Sequence, residues 1–131
     1  MPKDSGFSVE IGAHTGHKYI NLTTFRVSGT PIVTPVWFTT DNNKIYAFTA
    51  PSAGKTKRLR NNPQVIIAPC TSDGRPMGKE FQAQGRILDR SEGEKIFDLL
   101  KIKYERDGVW PSFSRRGPKE MIFLEFILNT P

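Results

Sequence analysis

The sequence predicts a mainly β domain, a closed or partly open antiparallel barrel with two helices. Strand-like runs joined by short turns fill residues 18–49, and only two later segments have a helical pattern. The resulting order, β-β-β-α-β-β-α-β, is typical of a barrel and not of a doubly wound parallel sheet. No G-x-G-x-x-G fingerprint follows a strand and no P-loop lysine motif occurs, which argues against a nucleotide-binding parallel sheet.

The first three strands form a predicted meander with short hairpin connections. In chain order the strands are Tyr19–Phe25, Ile32–Phe38 and Lys44–Thr49, with turns at Ser28–Thr30 and Asp41–Asn43. The second strand is interrupted by Thr34-Pro35. Because proline removes a ladder donor, it indicates a sheet edge, a bulge or a point where another group approaches the strand.

The second half of the chain alternates short strands with the two helices. The predicted elements are a helix from about Gly54 to Asn62, strands Gln64–Ala68 and Glu80–Leu88, a helix from Ser91 to about Arg106, and a last strand Met121–Leu128. Pro63 ends the first helix. Ser91 and Glu94 have capping-box spacing and predict the start of the second helix. Apolar side chains fall on one of its faces, in the sets Ile96, Leu99, Leu100 and Phe97, Leu100, Tyr104.

Length and composition predict one cytoplasmic domain covering residues 1–131. Hydrophobic residues make up 37% of the chain and aromatic residues 11%, enough to build a core. No apolar run approaches the roughly 20 residues of a membrane span, and the first 20 residues lack the apolar core of a secretory signal. The single cysteine, Cys70, forms no internal disulfide, which fits a reducing compartment.

Positive charge is concentrated in one segment. The formal charge is +6, and Lys55, Lys57, Arg58 and Arg60 supply four of those charges with no acid among them. A nucleic-acid-binding protein usually spreads basic residues along a face or tail. A compact cluster fits a small anion better, so no nucleic-acid partner is expected.

The segment from Thr49 to Arg60 is the main candidate site. Cations at a helix N-terminus are unfavourable by about 0.3–1 kcal/mol each at low ionic strength, because the helix dipole is positive there. A bound phosphate reverses that penalty, since backbone N–H groups and lysines then share one anion. Thr49, Ser52 and Thr56 add hydroxyl groups. The alternative is a solvated basic helix face; the local physics favours the phosphate site modestly.

Other residues give weaker signals. The run Thr34–Phe38 (TPVWF) could expose backbone groups to a flat heteroaromatic ring, but aromatic residues in strands are usually core, and that interpretation is favoured locally. His14 and His17 lack a third ligand for a metal, Cys70 fits a small buried hydrophobe, and Arg115-Arg116 fits solvated charge. No catalytic residue is assigned, so any chemistry is expected to come from a cofactor.

Four motifs together resemble one protein family. They are Lys18–Phe25 (KYINLTTF), Thr34–Phe38 (TPVWF), Gly54–Pro63 (GKTKRLRNNP) and Ala68–Cys70 (APC). In this order and at this spacing they are similar to the pyridoxamine 5'-phosphate oxidase-like (PPOX) superfamily of FMN-binding split barrels. Within it, the chain most resembles the short actinobacterial-type group of enzymes that use the deazaflavin coenzyme F420. The resemblance covers residues 18 to about 90.

The resemblance implies a split β-barrel homodimer with FMN or coenzyme F420 in a cleft at the dimer interface. By position, Lys55 and Lys57 would hold the phosphate, with Ser52 and Arg58 assisting. The strand from Thr34 through Pro35 and Val36 to Trp37 would lie along the tricyclic ring, bordered by Phe48 and Thr49. The resemblance names no substrate and does not distinguish FMN from F420.

The leading functional hypothesis is therefore a flavoprotein or deazaflavin oxidoreductase that transfers hydride between the cofactor and a small organic substrate. The alternative is a non-catalytic protein that binds or carries the same cofactor. A basic nucleic-acid-binding barrel is a third, weaker interpretation, because the chain lacks a recognisable aromatic stacking platform.

Overall fold

A computed structural model of the chain describes residues 18–50, 54–106 and 121–129. Its elements are strands β1 (Tyr19–Phe25), β2 (Pro31–Asp41) and β3 (Lys44–Thr49), helix α1 (Gly54–Asn61), strands β4 (Gln64–Cys70) and β5 (Phe81–Ile87), helix α2 (Arg90–Arg106) and strand β6 (Ile122–Leu128). The six strands close into one barrel in the order β1-β2-β3-β6-β5-β4, and every neighbouring pair is antiparallel. The predicted fold class and element order are confirmed.

Strand β2 is longer than predicted, because it continues through Thr34-Pro35 to Asp41. It changes partner along its length: residues 31–37 pair with β1, and residues 38–41 pair with β3. The hairpin to β3 turns on Asn42 and Asn43, whose φ values of 51° and 64° are those of a left-handed turn. Asparagine is one of the few residues that adopt this conformation readily, so the turn is encoded locally.

The barrel interior is filled by alternate residues of the strands, as the period of two requires. The residues with no or almost no exposure include Ile20, Leu22, Phe38, Ile45, Ile67, Leu124 and Phe126. Helix α1 packs against β1 and β5 and contributes Leu59 to this core. Gly85 makes the contact possible, because a Cβ at this position would lie 2.8 Å from Phe126 Cδ1 and 3.0 Å from Leu59 Cδ1.

Helix α2 lies on the outside of the barrel and contacts β2 and β6. Its residues Ile96, Leu100 and Tyr104 are buried, which confirms the apolar face predicted from their spacing. They join a second apolar cluster that includes Tyr46 and Phe123 on the outer face of the barrel. The helix therefore covers strand residues that would otherwise be exposed.

The start of α2 differs from the prediction. The capping box is formed by Asp89 and Glu92 instead of Ser91 and Glu94: the Glu92 N–H donates to Asp89 Oδ1 (2.8 Å), and the Asp89 N–H donates to Glu92 Oε1 (3.1 Å). Both pairs have the same spacing, but only Glu92 also reaches Arg86 of β5, at 2.8 Å between Nη2 and Oε2. The cap residue that also binds the end of the preceding strand, six residues earlier, is thus the one used.

Arg86 connects this cap to a buried carboxylate, Glu125 of β6. Arg86 Nε donates to Glu125 Oε1 (2.8 Å), and Tyr46 Oη donates to Glu125 Oε2 (2.9 Å). Lys44 Nζ lies 3.9 Å from the same carboxylate. Burial and the neighbouring carboxylate raise the pKa of Tyr46 to about 12, so its hydroxyl remains a donor at all ordinary pH values. We call Arg86, Glu92 and Glu125 with Tyr46 the paired-charge cluster.

Candidate functional site

The basic residues predicted from the sequence lie on α1, with Lys55 and Lys57 in its first turn and Arg58 and Arg60 in its last turn. The Arg58 side chain extends back toward the first turn. This turn contains no acidic residue. Lys55 and Arg58 are half-buried, whereas Lys57 is exposed. Arg58 Nε donates to Thr24 Oγ1 of β1 at 2.7 Å, and the guanidinium bends back along the helix so that a Cβ on Gly54 would lie 2.7 Å from Arg58 Nη1. Thr24 therefore holds a cation beside the helix N-terminus.

The electrostatics of this turn are unfavourable as the chain stands. Burial, and secondly the positive charge of Arg58, lower the pKa of Lys55 below its usual range. The ion pairs among the described residues involve Lys44, Arg75 and Arg86, and neither Lys55 nor Lys57 takes part in one. Because the helix dipole adds positive potential here, an anion with several oxygen acceptors fits this turn. We call Lys55, Lys57 and Arg58 the α1 cation cluster.

Two buried hydroxyl groups, one on α1 and one on β2, have no hydrogen-bond partner within the described residues. They are Thr56 Oγ1 in α1 and Thr34 Oγ1 in β2. A buried polar group left without a partner costs roughly 1–3 kcal/mol, so such groups usually mark a missing ligand, water or chain. Thr56 lies between the two lysines in sequence. Thr34 lies on the strand that, by the family resemblance, would border the cofactor ring.

Strand β2 has an open edge along its first half. Residues 31–37 pair with β1 on one side, and along residues 31–36 no other described strand pairs with the opposite side. The Phe38 N–H points toward the β1 side, where it donates to Tyr104 Oη. Since backbone groups alternate in direction, those of Val33 and Pro35 face the open edge. Pro35 has no N–H to lose there, which explains why this strand accepts a proline.

The aromatic residues beside this edge are held on the outer face of the barrel. The Trp37 ring stacks on Tyr104, with ring centres 4.3 Å apart and planes at 33°, and meets the edge of Tyr19 at 6.1 Å. Phe48 is half-buried and approaches Phe123 with ring centres 6.4 Å apart. The prediction that Trp37 and Phe38 serve as core and helix contacts is confirmed, because Phe38 lies inside the barrel and Trp37 lies beneath α2.

Most of the predicted site residues lie on β2, β3 and α1. Thr34 to Trp37 lie on β2, Phe48 and the buried Thr49 lie on β3, and the α1 cation cluster begins soon after β3 ends. Ser52, His14, His17 and the Arg115-Arg116 pair lie outside the described residues. Thr24, which anchors Arg58, was not among the predicted site residues, although its position in an alternating strand predicts that it faces inward.

The remaining candidates show no reactive arrangement. Burial, and secondly Asp73, raise the pKa of Cys70 to about 11, which keeps its thiol protonated and poorly nucleophilic at neutral pH. No group of three histidine, cysteine or acidic side chains suited to a metal ion occurs within the described ranges. Neither of the two described helices has the length and hydropathy needed to cross a membrane.

Comparison with known proteins identifies a family. A sequence profile described as "Pyridoxamine 5'-phosphate oxidase" matches residues 13–126. No functionally curated protein shows significant similarity to the chain.

Solved structures share the fold at low sequence identity. A Listeria innocua protein provisionally described as a pyridoxamine 5'-phosphate oxidase superimposes with a TM-score of 0.68 at 16% identity, over 99% of this chain and 95% of its own. HutZ, the heme storage protein of Vibrio cholerae, superimposes with a TM-score of 0.67 at 16% identity, over 91% of this chain and 87% of its own. A protein described as an F420 reductase gives 0.57 at 18% identity, over 86% of each chain.

Proposed function

The chain belongs to the pyridoxamine 5'-phosphate oxidase family, and from this premise we propose that it is a flavin- or deazaflavin-dependent oxidoreductase. It transfers hydride between a bound FMN or coenzyme F420 and a small organic substrate. The observation that carries the proposal is the α1 cation cluster, in which Lys55 has a lowered pKa and no ion pair among the described residues. A phosphate is the anion that relieves this arrangement and that both cofactors possess.

The phosphate is held by Lys55 and Lys57. Arg58 assists from the position that Thr24 fixes, and Ser52 of the preceding segment contributes a hydroxyl group. Charge-assisted hydrogen bonds of this kind contribute about 1.5–3 kcal/mol each. The partnerless Thr56 hydroxyl is a further group in this turn that supports a fit to an anion or its bound water.

The ring of the cofactor lies along the open edge of β2, from Thr34 to Trp37, with Phe48 and Thr49 at its border. The unpaired backbone groups on this edge suit the rim of the ring, because carbonyl oxygens can accept from its N–H groups and the Val33 N–H can donate to a ring carbonyl. The buried Thr34 hydroxyl, which has no partner among the described residues, is a further polar group on this strand. When bound, the cofactor supplies the hydride chemistry, at N5 of a flavin or the matching carbon of a deazaflavin. The protein orients the reactants and excludes water, which is where most of its contribution to the rate arises.

A second copy of the chain completes the site in a homodimer. The outer face of β1, β2 and β4 carries an open cavity of about 240 Å³ lined by residues that include Asn21, Val33 and Ala68. Asn21 is only 7% exposed, yet its Oδ1 has no partner in the part of the chain that the structure describes, and Val33 is 53% exposed. Such a face supports the proposal of a covering partner. Light scattering is expected to give a mass near twice 14.8 kDa, and a clean monomer that binds cofactor tightly would contradict the shared site.

The phosphate site is tested by cofactor affinity. Lys55→Ala and Lys57→Ala should each weaken binding of FMN or F420 roughly tenfold to a hundredfold. Arg60→Ala is the matched control, because Arg60 is an exposed cation in the last turn of the same helix. Unchanged affinity in both lysine variants would remove the phosphate from this segment.

The alternative, a protein that binds or carries the cofactor without turnover, is tested by reduction of small acceptors by the purified holoprotein. In the oxidoreductase, replacing His14, His17 or Cys70 should leave turnover within about tenfold of wild type, because a true general acid or base contributes about 10²–10⁴-fold. Trp37→Ala should reduce it more, through loss of the support under β2. A thousandfold loss in Cys70→Ala with intact cofactor affinity would assign that thiol a direct role.

A further inference from the structure

We propose that Tyr104 of α2 is a positioning residue for the cofactor ring. Its hydroxyl holds β2 at the point where the strand leaves β1, and it thereby fixes the open edge against which the ring lies. The inference rests on the proposed function, because it concerns the ring half of that same site.

The Tyr104 hydroxyl substitutes for a ladder hydrogen bond between β1 and β2. The last paired residues of this ladder are Tyr19 and Trp37, so the next pair would be Lys18 and Phe38. Instead, the Phe38 N–H donates to Tyr104 Oη (2.9 Å), and Tyr104 Oη lies 2.6 Å from the Lys18 carbonyl oxygen, to which it donates. The hydroxyl therefore connects two strands that have begun to separate.

The same helical turn holds β2 in two further ways. Lys103 Nζ donates to the Phe38 carbonyl oxygen at 2.8 Å and lies 3.4 Å from the centre of the Phe38 ring. The Tyr104 ring, which is fully buried, stacks on Trp37. Trp37 and Phe38 are the residues between which β2 changes its partner from β1 to β3. The C-terminal end of α2 thus contacts β2 at the point where the strand changes partner.

Loss of the hydroxyl should affect the two halves of the site differently. Without it, the buried Phe38 N–H and the Lys18 carbonyl lose their partner, and β2 is held less firmly where it changes partner. The α1 cation cluster is attached elsewhere, through Arg58 to Thr24 and through Leu59 to the barrel core. We therefore expect ring binding to weaken while phosphate binding is retained.

The test separates the halves with two probes, riboflavin for the ring without phosphate and ribose 5-phosphate for the phosphate without ring. Tyr104→Phe should weaken binding of riboflavin and of the intact cofactor by roughly threefold to tenfold and shift the absorbance band of the bound ring, with ribose 5-phosphate affinity unchanged. Lys55→Ala should show the reverse pattern. Tyr46→Phe is the matched control, since it removes another buried tyrosine hydroxyl, one that donates to Glu125 of β6 and makes no hydrogen bond to β2 among the described residues.

Equal weakening of both probes, or unchanged riboflavin affinity, would overturn the positioning role and leave Tyr104 a purely structural residue. If Tyr104→Phe does not fold, Lys103→Met removes the other donor to Phe38 and should weaken riboflavin binding in the same direction; unchanged binding there also overturns the proposal. A wild-type protein that binds neither FMN nor F420 refutes the proposed function itself, and this is seen before any variant is made.

Discussion

The two helices of this protein begin in opposite electrostatic environments. At the start of α2 the chain supplies its own anions, because Asp89 and Glu92 satisfy the first N–H groups and Glu92 also binds Arg86. At the start of α1 the chain places cations, with Lys55 half-buried beside Arg58. Both helices have a dipole that is positive at the N-terminus. The N-terminus of α2 has anions to balance it, and the N-terminus of α1 has none among the described residues.

This difference distinguishes charges that hold the fold from charges that await a ligand. Every member of the paired-charge cluster has a partner of opposite sign or a hydrogen-bond acceptor. The α1 cation cluster has its Arg58 anchored but its positive charge unbalanced among the described residues. Substitutions in the paired-charge cluster should therefore reduce stability. Substitutions in the α1 cation cluster should reduce affinity for the cofactor while sparing stability.

The largest effect is expected from Arg86→Met. It leaves the Glu125 carboxylate buried with only Tyr46 and the more distant Lys44, and should lower the free energy of unfolding by about 2–3 kcal/mol, less than for a fully buried pair because Arg86 is half exposed. Urea denaturation at neutral pH measures the change. Arg60→Met is the control and should stay within about 0.5 kcal/mol of wild type. Equal losses in both variants would contradict the comparison.

The same glycine-to-alanine change in each helix start gives the second test. In α2, a Cβ on Gly93 would lie 2.7 Å from Phe123 Cδ2, a ring fixed in the apolar cluster, so Gly93→Ala should cost about 1–2 kcal/mol despite its better helix propensity. In α1, the Cβ of Gly54→Ala meets only the flexible end of Arg58. Its unfolding free energy should change by less than about 0.5 kcal/mol, while cofactor affinity falls as the guanidinium is displaced. A stability loss as large as that of Gly93→Ala would show that Arg58 is rigid.

A third, smaller effect is the loss of stability at acidic pH. The hydrogen bonds from Arg86, and secondly from the Asp89 backbone, lower the pKa of Glu92. The stability gained from its charge is present above the unfolded value of about 4.3 and is lost as pH falls through the lower folded-state pKa. Glu92→Gln should therefore melt below wild type at pH 7, and the two curves should converge in acid. A deficit that persists at the lowest pH, or an equal one in Glu94→Gln, would assign the effect to something other than this charge.

The smallest expected effect, and the most diagnostic, is a gain in thermal stability. Since burial and Arg58 lower the pKa of Lys55, its charge destabilises the folded protein when no anion is bound. Lys55→Met should slightly raise the melting temperature of the cofactor-free protein at neutral pH, and this gain should fade as pH rises toward the ordinary lysine value of about 10.4. Because Lys57 is exposed, Lys57→Met should raise the melting temperature less. A lowered melting temperature for Lys55→Met would mean that Lys55 serves the fold.

The order of elements could be predicted because it is encoded locally. The Asn42-Asn43 turn, the proline after α1 and the apolar spacing of α2 each act within a few residues. The cap of α2 could not be predicted from spacing alone, because Asp89 with Glu92 and Ser91 with Glu94 both have capping-box spacing, and only Glu92 also binds Arg86 at the end of β5.

The site was predictable to the same extent. The basic composition of α1 is visible in the sequence, but the direction of Arg58 depends on Thr24, which is 34 residues away. The apolar face of α2 predicts that Tyr104 is buried, yet its hydroxyl bonds to Phe38 at a separation of 66 residues. Long-range polar contacts of this kind leave no periodic signal.

The position of β6 also has a consequence for folding kinetics. This strand, the last described along the chain, lies between β3 and β5, and its Phe126 pairs with Ile45 from the first half. A chain emerging from the ribosome therefore cannot close its barrel until residues 122–128 have left the exit tunnel. Until then β3 and β5 have unpaired edges, which are exposed to association with other nascent chains. Closure through such distant pairings predicts slow folding in the range typical of barrels, with β6 insertion as its final step.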